Sequence, residues 1–195
     1  GFIHGVMNTD NRRIAGETMD YGPCAFMNSY NPKTVFSSID INGRYAFGNQ
    51  STIAHWNLTV FAGTLLPLIS DNKEKAIQLA KDILNKFPEE YSKKWYQMLF
   101  EKLGITKPLK EDKVLVDTLL HLMEDHKADY TNTFAALTLN KVSNDSIFTS
   151  SIFNEWKKQW RNRINLTDNR VKAIKLMQSQ NPVVIPRNHL IESAL

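Results

Sequence analysis

Three side chains near the start of this sequence carry the clearest potential for chemistry. Asn11 and Asp20 offer an amide oxygen and a carboxylate, and Asp10 places a second carboxylate directly beside the first of them. Hard divalent cations such as magnesium take oxygen donors and are commonly held by few protein ligands together with substrate phosphates. The pair could therefore hold a cation against a nucleotide, with Asp10 within reach as a proton acceptor. The surrounding string is Gly1-Phe2-Ile3-His4-Gly5-Val6-Met7-Asn8-Thr9-Asp10-Asn11, followed after eight residues by Asp20-Tyr21-Gly22-Pro23.

Kinase catalytic loops follow His-x-Asp-x(4)-Asn, in which the Asp accepts the proton of the attacking hydroxyl, and a later Asp-Phe-Gly supplies the second metal ligand. His4 and Asn11 fit the first spacing and Asp20-Tyr21-Gly22 fits the second, but Val6 occupies the position of the base. An aliphatic side chain cannot accept a proton. Spacing alone leaves two outcomes open: the site has lost its chemistry, or Asp10 has taken over the base role with a changed substrate geometry. Asp10 also suits an ordinary turn or N-cap, and Asn11 with Asp20 suit turns. His4 fits a loop-shaping role better than an acid or base.

The string from His4 to Asn11 with Asp20-Tyr21-Gly22-Pro23 resembles the selenoprotein O family, kinase-fold proteins that transfer AMP rather than phosphate. The similarity continues through Gly43-Arg44-Tyr45-Ala46-Phe47, Asn49-Gln50, Trp56-Asn57-Leu58, Asp129-Tyr130-Thr131-Asn132-Thr133-Phe134, Asn181-Pro182 and Ile185-Pro186-Arg187-Asn188-His189. It implies ATP as substrate, magnesium or manganese as the metal, and Ser, Thr or Tyr hydroxyls of proteins as acceptors. It implies Asp10 as the proton acceptor, Asn11 and Asp20 as metal ligands, and Asp20 as a contact to the nucleotide phosphates through the metal. In this family ATP is thought to bind flipped relative to kinases, which presents the α-phosphate. A cytoplasmic location follows for a bacterial protein and a mitochondrial one for a eukaryotic protein.

Some residues depart from the family pattern. Gly48 stands where a larger residue is expected, and Arg12-Arg13 follow Asn11 where apolar residues are common. A Gly-rich nucleotide loop, a phosphate-gripping Lys and its Glu partner are not found in the sequence. The chain opens inside a motif without an initiator Met, which predicts a piece of a longer polypeptide whose N-lobe would supply those parts, and predicts little activity for the 195 residues alone. Kinase-type γ-phosphoryl transfer and a non-catalytic helical interaction module are the competing functions.

Composition narrows the field. A chain with 42% hydrophobic and 23% charged residues can bury one sizeable core. The net charge of +4 is spread, with lysines and acidic residues interleaved between Asn72 and Lys94, as on a solvated helix surface; this argues against nucleic-acid binding. Cys24 is the single cysteine, so no intrachain disulfide forms and a reducing compartment fits. The apolar run Val60 to Ile69 is too short to span a bilayer, and no signal peptide is visible.

The elements that must position these residues follow from periodicity. Short strands are expected at Phe2-Ile3, Arg13-Ile14 and Thr18-Met19, with Asp10, Asn11 and Asp20 at strand ends facing one cleft. Residues 24–50 form a long ordered loop. From Ser51 the pattern is helical: Ile53, Trp56, Asn57, Val60, Phe61 and Leu65 mark a buried helix ending near Pro67. Ser70-Asp71-Asn72 offers caps to a helix with Ile77, Ala80, Ile83 and Leu84 on its apolar face. Tyr91, Trp95, Met98 and Leu99 line another, stopped by Gly104, and Leu115, Leu119, Leu122 and Met123 a further one. Three more fall near 128–138, 147–164 and 168–179, the last capped by Thr167 or Asp168. The expected fold is mainly α, a single domain resembling a protein-kinase C-lobe, with residues 1–23 as catalytic and metal loops and 51–195 as a helical bundle.

Overall fold

The protein, as a computed structural model, is described over residues 1–17, 24–141, 145–167 and 170–194. Two short strands, β1 (Phe2–Ile3) and β2 (Ala25–Phe26), pair into one sheet at the N-terminal end. Eight α-helices follow among the described residues: α1 (Gln50–Ile69), α2 (Lys73–Leu84), α3 (Phe87–Lys102), α4 (Asp112–Asp125), α5 (Tyr130–Leu139), α6 (Ser151–Thr167), α7 (Arg170–Gln180) and α8 (Asn188–Ala194). The fold is therefore mainly α with a small β segment at the start.

The expected strand at Arg13-Ile14 is not formed. Ile14 sits in an exposed turn at 86% exposure, so its side chain gains no burial that would favour an extended strand. The expected strand at Thr18-Met19 lies outside the described residues. Segment 24–50 is mostly turns, as expected, with β2 near its start and a 3-10 turn at Phe47–Asn49 that leads into α1.

The chain divides into two compact units. One comprises Gly1, Phe26–Asn31 and Lys94–Leu195; the other comprises Phe2–Ala25 and Pro32–Lys93. The larger unit has a dense aromatic and aliphatic core. Phe153, Trp156 and Trp160 stack along α6, and both indole N–H groups donate to backbone carbonyls, Trp156 to Leu115 and Trp160 to Leu103, each at 2.8 Å. Arg163 grips the buried Asp112 carboxylate with two guanidinium nitrogens at 2.6 and 2.7 Å, which satisfies a charge that could not be buried alone.

The family-like motifs of this unit are its internal ties. The Asp129 carboxylate accepts the Asn132 N–H at 2.8 Å and caps α5, and it also receives Arg187 at 2.5 Å. Arg187 reaches Asn28 and Asn132 as well. The buried Asn181 amide donates to the Lys102 carbonyl and to Thr138 Oγ1 at 2.8 and 2.9 Å.

In the smaller unit α1 packs against α2. The Asn72 side chain caps α2 by accepting the Lys75 N–H at 2.9 Å. Helix α1 ends at Ile69, near Pro67 as expected: a proline in the last turn removes a single helical N–H, which costs little so near the end. Its expected burial is also not realised. Only Ile53 and Asn57 are buried, while Trp56, Leu58, Val60, Phe61 and Leu68 are exposed. Apolar residues run nearly all round this helix, so it has more apolar face than α2 covers with Ala76 and Ala80. With the preceding 3-10 turn, Phe47–Ile69 is long and apolar enough to cross a membrane by length and composition, a property the shorter run from Val60 concealed.

The stop expected at Gly104 is present, with the Ile105 N–H closing back onto the Phe100 carbonyl at 2.8 Å. Helix α6 is preceded by a 3-10 turn at Ser146–Thr149, so the segment expected to start at 147 begins its α-helix at Ser151. The expected caps of α7 fall on side chains outside the described residues. Helix α8 carries no periodic signal in seven residues and was not expected.

Candidate active site

β1 delivers the chain into Gly5, which is buried at φ +86, a left-handed conformation that a side chain would strain. The turn lets the His4 ring fold back, where Nδ1 accepts the Val6 N–H at 3.4 Å. Residues Thr9–Asn11 then form a 3-10 turn, closed by the Asn11 N–H donating to the Asn8 carbonyl at 3.1 Å. Asp10 and Asn11 are thus neighbours on one exposed turn, not residues at strand ends as expected. The chain satisfies N–H groups locally here, with the Asn11 and Arg12 N–H groups donating to the Asn8 and Thr9 carbonyls.

The Asn11 side chain has a defined orientation. Its Nδ2 donates to the Val6 carbonyl at 3.1 Å, and because a carbonyl can only accept, the amide nitrogen must face it. Oδ1 is left as the ligand end. With the Asp10 carboxylate alongside, the turn presents oxygen donors of the kind magnesium or manganese takes, and no thiolate or imidazole of the kind zinc prefers. Among the described residues no group of three or more His, Cys, Asp or Glu could hold a metal by itself. Asp20 lies outside the described residues. Burial pushes the Cys24 thiol above its usual range.

Three side chains hold the loop from its own unit. Gln50, at the first position of α1, accepts the His4 N–H through Oε1 at 3.0 Å and donates from Nε2 to the Phe2 carbonyl at 3.1 Å. Asn57, two turns further along the same helix and buried, donates to the Met7 carbonyl at 2.9 Å. The Tyr45 hydroxyl donates to Asn8 Oδ1. Tyr45 is itself fixed, since the Asp40 carboxylate receives the N–H groups of Arg44 and Tyr45 at 2.7 and 2.8 Å. The Arg44 guanidinium lies over the Trp56 ring, 4.7 Å from its centroid.

A family model described as protein adenylyltransferase SelO matches residues 1–195. The chain belongs to this family. Curated relatives named protein nucleotidyltransferase YdiU include those of Pelagibacter ubique, 54% identical, Geobacillus kaustophilus, 52%, and Brevibacillus brevis, 51%. Each alignment covers 100% of this chain but only 40–41% of the relative, so the chain spans about two fifths of their length.

In this SelO-family chain, Gly48 has a steric reason. A Cβ there would lie 3.1 Å from the Pro32 carbonyl oxygen, which already accepts the Gly48 N–H at 2.8 Å. The roles of Gln50, Asn57 and Tyr45 were not recognised in the sequence. Gln50 and Asn57 lie seven residues apart, two helical turns, and so place two amides on one face of α1. That spacing was the available signal.

Proposed function

We propose that the polypeptide containing this chain is a protein adenylyltransferase, built on a kinase-like C-lobe, that transfers AMP from ATP to Ser, Thr or Tyr hydroxyls of proteins. The observation that carries this reading is the turn itself: Asp10 and Asn11 exposed side by side, with Asn11 oriented by Val6, the residue found where a phosphotransferase keeps its base. The family match and relatives named as protein nucleotidyltransferases support it.

In this reaction Asp10 takes the proton of the acceptor hydroxyl as its oxygen attacks the α-phosphorus. The bond between the α-phosphorus and the oxygen bridging to the β-phosphate breaks, and pyrophosphate leaves. The new protein–O–AMP bond replaces it, so charge and atoms balance. Asn11 and Asp20 would hold magnesium or manganese, which supplies charge neutralisation at the phosphates when bound. Asn11 contributes through Oδ1, while its Nδ2 stays on the Val6 carbonyl and keeps the ligand end turned outward. Val6 itself moves no proton.

The isolated 195 residues would be inactive, because the parts that grip the triphosphate belong to an N-lobe in the longer polypeptide. Calorimetry of the chain with magnesium-ATP tests that point, and micromolar binding would contradict it. Incubating the polypeptide at the relatives' full length with ATP labelled at either phosphate tests the reaction. Label retained on protein from the α position is expected; label only from the γ position would replace AMP transfer with phosphorylation.

A further inference from the structure

We infer that Asn57, assisted by Gln50, is a positioning residue for the proposed reaction: α1 uses these two amides to set where the Asn8–Asn11 turn stands. The inference rests on the assignment of Asp10 and Asn11 above. Asn57 is 5% exposed and is, with Ile53, one of the two buried residues of α1, so an amide there is not needed for solubility. Its Nδ2 holds the Met7 carbonyl at 2.9 Å, one residue before the turn begins. Its Oδ1 is buried and has no hydrogen-bond partner among the described residues.

A buried amide oxygen left unpaired is a cost that packing does not require, since an isosteric Leu would bury well on this helix. What the amide adds is a single directed donor to the backbone that carries the catalytic turn. Gln50 acts from the same face two turns earlier, with both ends of its amide engaged on the backbone of residues 2 and 4. Together the two residues tie β1 and the loop to one rigid helix at three backbone atoms. Neither touches the reacting groups, so their effect is on where Asp10 and Asn11 stand and not on the chemistry they perform.

The test uses the polypeptide at the relatives' full length and compares Asn57→Leu, Gln50→Met and Gln50→Glu with Asp10→Ala. Displacing a catalytic group by about an ångström lowers turnover on the order of 100-fold. Asn57→Leu should lower kcat on that scale, leave KM for ATP within about twofold, raise the manganese concentration needed for half-maximal rate, and leave Tm nearly unchanged. Gln50→Met should act in the same direction. Gln50→Glu keeps the acceptor for the His4 N–H and loses only the donor to Phe2, so it should fall between wild type and Gln50→Met.

Unchanged kcat and manganese dependence in Asn57→Leu, with Asp10→Ala inactive, would overturn the positioning role. So would a fall in kcat matched by a parallel loss of Tm and of soluble protein, which marks a purely structural residue. If Asn57→Leu does not fold, the graded Gln50 pair decides by the same readouts. Activity surviving in Asp10→Ala would instead overturn the assignment of the base, a distinct failure.

Discussion

The two compact units are ordered by different forces. In the larger one, Leu99, Leu119, Met123, Phe134, Phe153, Trp156, Trp160 and Met177 are each buried to 4% exposure or less, and its polar ties close around an already packed core. In the smaller one the buried apolar set is short, Ile3, Met7, Ala25, Ala46, Phe47, Ile53, Ala76 and Ala80, and its longest helix is largely exposed. Its ordered loop depends on directed bonds from Gln50, Asn57, Tyr45 and Asp40 to backbone or loop groups. Packing is non-directional and fills volume, whereas a hydrogen bond fixes one atom relative to another. A core suffices to hold helices together; holding a two-residue constellation in register needs the second kind of bond.

The contrast predicts that substitutions in the smaller unit change activity at little cost in stability, and that those in the larger unit do the reverse. Asp10→Ala should lower AMP transfer by about 1,000-fold in the full-length polypeptide while Tm stays within experimental scatter, because the residue is exposed. A comparable loss of Tm would erase the distinction. Trp160→Ala removes a side chain that is 4% exposed and leaves the Leu103 carbonyl without its donor, so urea unfolding of the chain should show a loss of about 3–5 kcal/mol.

Alkaline pH probes the larger unit in a different way. Burial, with Glu124 and Asp117 nearby, pushes the Tyr30 hydroxyl up to about 12, and burial pushes Tyr130 up as well. A folded-state value above the unfolded one means that stability is fully present below the ordinary value of about 10 and is lost as pH rises through 12. For Tyr30 the loss should reach about 2 kcal/mol by pH 12, and Tyr30→Phe should flatten that part of the stability profile. A profile unchanged by Tyr30→Phe would place its phenol in water. The smallest effect is expected at Asn72, where Asn72→Ala removes the cap of α2 at about 1 kcal/mol, measurable as a small shift in the urea midpoint.

Much of the fold was legible because helices announce themselves locally. Apolar spacing marked α2 to α7, Asn72 was a recognisable cap, and Gly104 was a recognisable stop, all features that depend on residues within one or two turns. The misplaced strand at Arg13-Ile14 and the unexpected α8 are both too short to carry a period. For α1 the pattern identified the helix but misjudged its burial, because an all-round apolar sequence says that a helix seeks cover and not whether this chain supplies it. At the site, Asp10 and Asn11 were legible as a pair, while Asp20 remains a residue of the sequence motif.

Residue types and order alone determined the helical class, the helix limits to within a few residues, and the donor set at Asp10 and Asn11, since each depends on near neighbours along the chain. Only the tertiary structure decided what holds that donor set in place. The amides of Gln50 and Asn57 meet the backbone of residues 2 to 7 from 46 to 50 positions away, and a bond between atoms so distant in sequence leaves no local pattern to read.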